Sequence, residues 1–252
     1  MRPEPSEPPQ TTTANVTIEG ERFRMQCRVT VPSGPSRLSD LLPLARALSD
    51  AVVREACGAV EEMGEKISCR KGCGACCRQL IAISEVEARR IRDLVEGLPE
   101  PRRTEVRTRF AEACRRLEGA GLLEKLRATE GCSDEEYAAL VDTYFRQYIP
   151  CPFLEEESCS IYDERPITCR EHLVASPPEY CAKPDPEGVR KVRLPLRVFN
   201  AVTRWEVPPT EHFLGRWLPL ILAPEWAEAH PEDPPPKPGP ELLRGLLAQL
   251  GR

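Results

Sequence analysis

The chain has 12 cysteines in 252 residues, and eight of them crowd into two stretches. Cys69, Cys73, Cys76 and Cys77 form C-x3-C-x2-C-C within CRKGCGACC. Cys151, Cys159 and Cys169 lie in CPFLEEESCSIYDERPITCR, with Cys181 twelve residues further on. Thiols packed this densely are a redox hazard unless something holds them as thiolates, and the spacing is too tight to serve apolar packing. All eight therefore read as metal ligands. Soft thiolates select zinc, copper(I) or iron–sulfur clusters over calcium and magnesium, and zinc or iron is the expectation.

The neighbouring residues refine this chemistry without fixing the metal. Gly72 and Gly74 allow a tight turn whose amide N–H groups can face sulfur, which suits an iron–sulfur site and a zinc knuckle equally. Adjacent side chains in an extended segment diverge, so Cys76 and Cys77 do not easily share one tetrahedral ion, and one of them can serve a second. Two closed four-cysteine zinc sites, one four-iron cluster with spare thiols, and a polynuclear centre all fit the spacing. Arg70, Lys71, Arg78, Arg165 and Arg170 flank the cysteines and could offset thiolate charge, or they could simply solvate a loop. Arg165, rigidified by Pro166, is the better candidate. His172 is an additional ligand candidate, set against a role as a polar neighbour. Cys27, Cys57 and Cys114 stand alone in amphipathic patterns and read as small buried hydrophobes, and Cys132 as structural rather than chemical.

The elements around the clusters follow from periodicity. Residues 15–32 alternate apolar and polar positions about a Glu-Gly break, predicting a hairpin. Leu41, Leu42, Ala45, Leu48, Val52, Val53, Ala56 and Val60 recur at helical spacing, so a helix from Leu38 to about Lys66 leads into Cys69, with Cys57 on its buried side. Ser84 with Glu87, and Ser133 with Glu136, form capping boxes. The first opens a helix through Val86, Ile91, Leu94 and Val95. The second opens one that ends before Pro150 and delivers Cys151. Between them, a helix after Pro101 carries Val106, Phe110, Ala113, Cys114 and Leu117, its Arg and Glu residues reading as a solvated face. The acidic run Glu155 to Glu157 reads likewise. Residues 189–203 fit strand or helix. Two last helices are expected, one over 210–230 with Phe213, Trp217, Leu218 and Trp226, and one after Pro240 that docks loosely or on a partner.

The fold class expected is mainly α with a short N-terminal β-hairpin, the helices surrounding a metal centre that joins two separated segments. The expected division is a disordered tail (1–14), hairpin and lead-in helix (15–66), metal-binding domain (67–183), helical extension (184–230), Pro-rich linker (231–240) and terminal helix (241–252). Forty per cent apolar content supports an ordinary core, and a net charge of −5 argues against nucleic acid as partner. Met1 to Gln10 lacks an apolar stretch, and no run is long enough to span a bilayer, so a cytoplasmic location is expected. In that reducing compartment cysteines serve metals more readily than disulfides.

The order C-x3-C-x2-C-C, CPFL, C-x-IY and RPITCR resembles the YkgJ-type cysteine-cluster family, described as zinc- or iron-chelating with eight characteristic cysteines. The resemblance covers about residues 67–183. It implies ligand roles for Cys69, Cys73, Cys76, Cys77, Cys151, Cys159 and Cys169 by motif, and for Cys181 by position and count. The family's relation to flagellin lysine N-methylases adds methyl transfer as a distant implication. The first three cysteines also fit the C-x3-C-x2-C spacing of radical S-adenosylmethionine enzymes. Ala75 stands where those enzymes carry an aromatic residue, however, a fourth thiol follows at once, and strand–helix alternation is absent. Redox or electron transfer at iron is the leading reading, a zinc-stabilised interaction module with an unidentified protein partner the alternative. No hydrolase, nucleotide-binding or metalloprotease motif points to an enzyme.

Overall fold

The computed structural model of the chain describes residues 10–20, 23–129, 132–183, 188–205, 215–231 and 233–250. Two ten-residue strands, β1 (Thr11–Gly20) and β2 (Phe23–Pro32), pair antiparallel from Thr11 opposite Pro32 to Gly20 opposite Phe23. Their alternation is read as expected for a half-buried ribbon: Ile18, Val29 and Val31 are buried, while Thr13 and Thr30 bond each other in solvent. Strand β3 (Pro35–Ser36) then leads into α1 (Leu38–Glu62). Leu41, Leu42, Ala45, Leu48, Val52 and Ala56 form its buried stripe. Gly64, at φ +78°, follows its C-terminal end.

After the first cysteine stretch come β4 (Ala82–Ser84) and α2 (Glu85–Glu96). Both expected capping boxes are present. Ser84 Oγ accepts from Glu87 N, and the Glu87 carboxylate accepts from Ser84 N at 3.0 Å. Ser133 and Glu136 repeat the exchange. Helix α3 (Arg102–Gly119), the short α4 (Leu123–Arg127) and α5 (Asp134–Arg146) follow. In the second cysteine stretch, β5 (Leu154–Glu155) and β6 (Ser158–Cys159) make a small hairpin ahead of α6 (Ile167–Glu171). Cys181 sits in a 3-10 turn over Pro178–Ala182.

The segment 189–203 is both of the alternatives left open. Lys191 bridges to Val174 in extended form, and α7 (Val198–Thr203) begins as soon as the Glu171 carboxylate accepts from Val198 N (2.7 Å) and Phe199 N (3.3 Å).

The helix expected over 210–230 is corrected. Residues 206–214, with Thr210, His212 and Phe213, lie outside the described residues; Trp217 and Leu218 belong to a strand, β7 (Trp217–Pro219), paired with β4. Pro219 and Pro224 explain the break, because neither can donate within a helix interior. Among the described residues there, a 3-10 turn over Leu220–Leu222 leads into the short helix α8 (Ala223–Ala229). The terminal helix is corrected too. After β8 (Lys237–Pro238), which pairs with β3, α9 (Gly239–Gln249) buries Leu242, Leu243 and Leu246 in the molecule's own core, and Trp205 Nε1 donates to Leu242 O at 3.0 Å.

One apolar core runs from Ile18 to Leu246 and draws on nearly every element. Each fully buried Leu, Ile or Phe adds about 1.5–3 kcal/mol relative to exposure. The chain is mainly α, and among the described residues no helix is long and apolar enough to cross a membrane.

Candidate metal centre

Three sets of contacts bring the two cysteine stretches together. Ser68 N donates to Val174 O at 2.9 Å, and Cys69 Sγ accepts from Val174 N at 3.3 Å while standing 3.7 Å from His172 O. Cys151 N donates to Cys77 O at 2.7 Å. Gln79 Nε2 donates to Cys181 O at 2.9 Å. Within the first stretch, Gly72 at φ +87° and the bonds Cys73 N to Arg70 O and Cys77 N to Gly74 O wind a double turn. Gly74 abuts the small hairpin so closely that a Cβ there would lie 2.6 Å from Glu157 O and from the Leu154 side chain.

The thiols feel one another. Charge on Cys76 raises the pKa of Cys69, Cys151, Cys159, Cys169 and Cys181, and Cys73 adds to the effect at Cys69 and Cys181. Cys77 hydrogen-bonds Cys76 and, ahead of burial, pushes the Cys76 thiol far up. Burial is the main cause elsewhere: Cys151 is pushed up to about 12, Cys181 to about 11, and Cys169 well above the ordinary thiol value. All eight expected ligand residues are thus drawn into one coupled group, with Cys76 common to thiols from both stretches. Cys181 is buried and the other seven are half-buried.

Such thiols stay protonated at neutral pH unless a cation displaces the protons. The donor set suits soft metals. Among the described residues, no three Cys, His, Asp or Glu side chains already stand where one ion needs them.

Of the flanking basic residues, Arg165 is the one that lowers the pKa of Cys69, Cys76 and Cys159. Its guanidinium lies over the Tyr162 ring at 3.9 Å, and its buried Nε has no hydrogen-bond partner. Three of the others face carboxylates: Arg170 bonds Asp50 at 2.8 Å, Lys71 lies 3.7 Å from Asp163, and Arg78 bonds Glu157. His172 gives Cys69 its carbonyl; burial holds its imidazole down at about 4, with Lys191 and Arg197 adding, so the ring is neutral. Cys132 lies apart, its thiol influenced by Glu136 and Asp134 and not by the cluster.

Sequence reasoning missed several contributors. Cys57 packs as expected, but it does so in the small apolar cluster that also holds Cys69, whose charge adds to burial and Glu61 in raising the Cys57 pKa. In the acidic run Glu156 and Glu157 are exposed as expected, but Glu155 is not: it accepts from Arg109 at 2.5 Å and pairs with Arg102 at 2.6 Å, so two arginines of α3 hold the hairpin. Buried Glu87, while capping α2, also accepts from Ile167 N at 2.8 Å and so anchors the helix of Cys169. The pairing of Glu155 with α3 had no signal in the sequence; the Glu87 anchor was half visible in its capping box.

The sequence model of the CxxCxxCC family, described as "Putative zinc- or iron-chelating domain", matches residues 68–185. No curated protein and no solved structure matches the chain. The match spans all eight clustered cysteines and the contacts that join their two stretches, and over residues 68–185 the chain is similar to the zinc- or iron-chelating CxxCxxCC family.

Proposed function

We propose that Cys69, Cys73, Cys76, Cys77, Cys151, Cys159, Cys169 and Cys181 bind zinc or iron as thiolates, and that residues 67–183 form the metal-binding unit of the chain. The carrying observation is that backbone and side-chain bonds at Cys69, Cys77 and Cys181 hold the two cysteine stretches against each other. Eight thiols exceed the four that close one tetrahedral site, which favours more than one ion. Bound metal would cross-link two stretches far apart in sequence and, if it is iron, supply one-electron redox chemistry. The residues contribute the rest. The double turn around Gly72 and Gly74 presents four thiols, Arg165 offsets their charge, and α1 and α2 hold the second stretch through Asp50 and Glu87. Electron transfer at iron is the use we favour. A non-catalytic zinc-closed module is the second reading, supported by the way the cluster pins two segments.

Metal and acid-labile sulfide content, with an absorption spectrum, on anaerobically purified protein tests this. Coloured protein with stoichiometric iron supports the redox use. Colourless protein with tightly held zinc replaces it with the structural module, and protein without zinc or iron overturns the metal reading.

A further inference from the structure

Among the described residues, non-glycine positive φ values occur at three positions, Tyr148 (51°), Glu156 (46°) and Glu157 (57°). Two of them, Tyr148 and Glu157, contact Arg78, and Glu156 is the neighbour of Glu157 in the same turn. The two glutamates are the central pair of the β5–β6 hairpin, whose register places Leu154 opposite Cys159 and Glu155 opposite Ser158. A two-residue hairpin loop with both φ values positive is the type that favours Asn-Gly, and a Cβ at both positions is unfavourable. Something outside the turn must hold it. Arg78 donates from both terminal nitrogens to the Glu157 carboxylate, one bond at 2.9 Å, and its NH1 lies 3.5 Å from Gly74 O. Its guanidinium also lies 5.1 Å from the centroid of the Tyr148 ring, three residues before Cys151. The arginine side chain is only 14% exposed.

We infer that Arg78 is a positioning residue that clasps the Cys151–Cys159 hairpin onto the Cys69–Cys77 turn, keeping the two stretches assembled before metal arrives. Its place directly after Cys77, its grip on the strained turn and its proximity to Gly74 O make it the side chain that spans both halves at this edge. Strain of this kind persists only where surrounding structure over-determines it, and it concentrates at functional sites. A lysine cannot make the paired bonds to Glu157, so it should restore the charge and not the fork. The consequence for metal binding rests on the proposed function; the clasp itself does not.

The experiment follows thiol alkylation, residue by residue by mass spectrometry, in the metal-free full chain. Arg78→Ala should speed alkylation of Cys151 and Cys159 by about tenfold, the size typical of lost support around a ligand, while Cys114 keeps its wild-type rate. Glu157→Gln should act in the same direction, and Arg78→Lys should recover part of the protection. In zinc-loaded protein, Arg78→Ala should hasten transfer of zinc to a coloured chelator by a similar factor. Unchanged alkylation at Cys151 and Cys159 overturns the clasp, as does an equal rise at Cys114, which would mean general loosening. Wild-type protein that takes up no zinc or iron overturns the metal reading, and the metal-free alkylation still decides the clasp.

Discussion

The apolar core and the cysteine cluster adjoin each other and are held by opposite means. In the core, Leu41, Ile83, Leu117 and Leu246 are nearly or wholly inaccessible, and the polar groups admitted there, such as Ser84 and Glu87, bond each other. In the cluster, seven of eight cysteines are half-buried, and thiols such as Cys69, Cys151 and Cys169 are kept from ionising by burial and by one another. The core is finished by burial alone. The cluster instead keeps its thiols half-buried and hard to ionise, and under the proposed function this is where a metal's binding energy would enter the fold.

The sharpest break between the two regions is metal removal. Binding free energy at a structural thiolate site is folding free energy, on the order of ten kcal/mol for zinc. Calorimetry on loaded and chelator-treated protein should show a large fall in the unfolding midpoint on treatment, and Cys76→Ser should abolish that difference while changing the metal-free midpoint little. Equal midpoints with and without metal would erase the distinction. Leu246→Ala should behave in the opposite way, costing about 2–5 kcal/mol whether or not metal is present, as measured by urea unfolding.

Alkali sharpens the contrast next. Burial raises the folded pKa of Cys151 to about 12 and of Cys181 to about 11, above the ordinary value of 9.0. A raised folded pKa contributes stability that is fully present below the unfolded value and is lost as pH rises through the folded one. Metal-free protein should therefore weaken between about pH 9 and 12, and protein whose thiols are already metal-bound should weaken less. Denaturant midpoints across that range check the sign. Gly74→Ala is expected to cost about 1–3 kcal/mol, since its Cβ would meet backbone at Glu157 and displace the hairpin. Arg102→Ala should do least, about 1 kcal/mol or less by urea unfolding, because Arg109 continues to hold Glu155.

The two regions also differed in how far they could be read from sequence. Cysteine spacing singles out the eight thiols of the two stretches, because ligand chemistry is written in residue type, but gives no sign that Cys57 lies beside Cys69. Capping boxes at Ser84 and Ser133, and the hairpin alternation, are local patterns with local causes, and all three elements form. What stayed hidden depends on distant partners. Glu155 and Arg109 are 46 residues apart, so each reads as solvated until the fold brings them together. Trp217 and Leu218 fit a helical period over 210–230, yet the backbone of β4 claims them as a strand. The Leu pattern of α9 shows an apolar face without showing which surface covers it, and that surface proved to be the chain's own core.

The bond between Val174 N and Cys69 Sγ spans 105 residues of chain. On a ribosome adding about 5–20 residues per second, the first four thiols would wait roughly five to twenty seconds before their counterparts are synthesised. Newborn chains thus pass through a stage with an exposed, partnerless thiol quartet, open to oxidation or to capture of the wrong ion. The order of synthesis thus places Cys69 to Cys77 outside the ribosome well before the segment that packs against them.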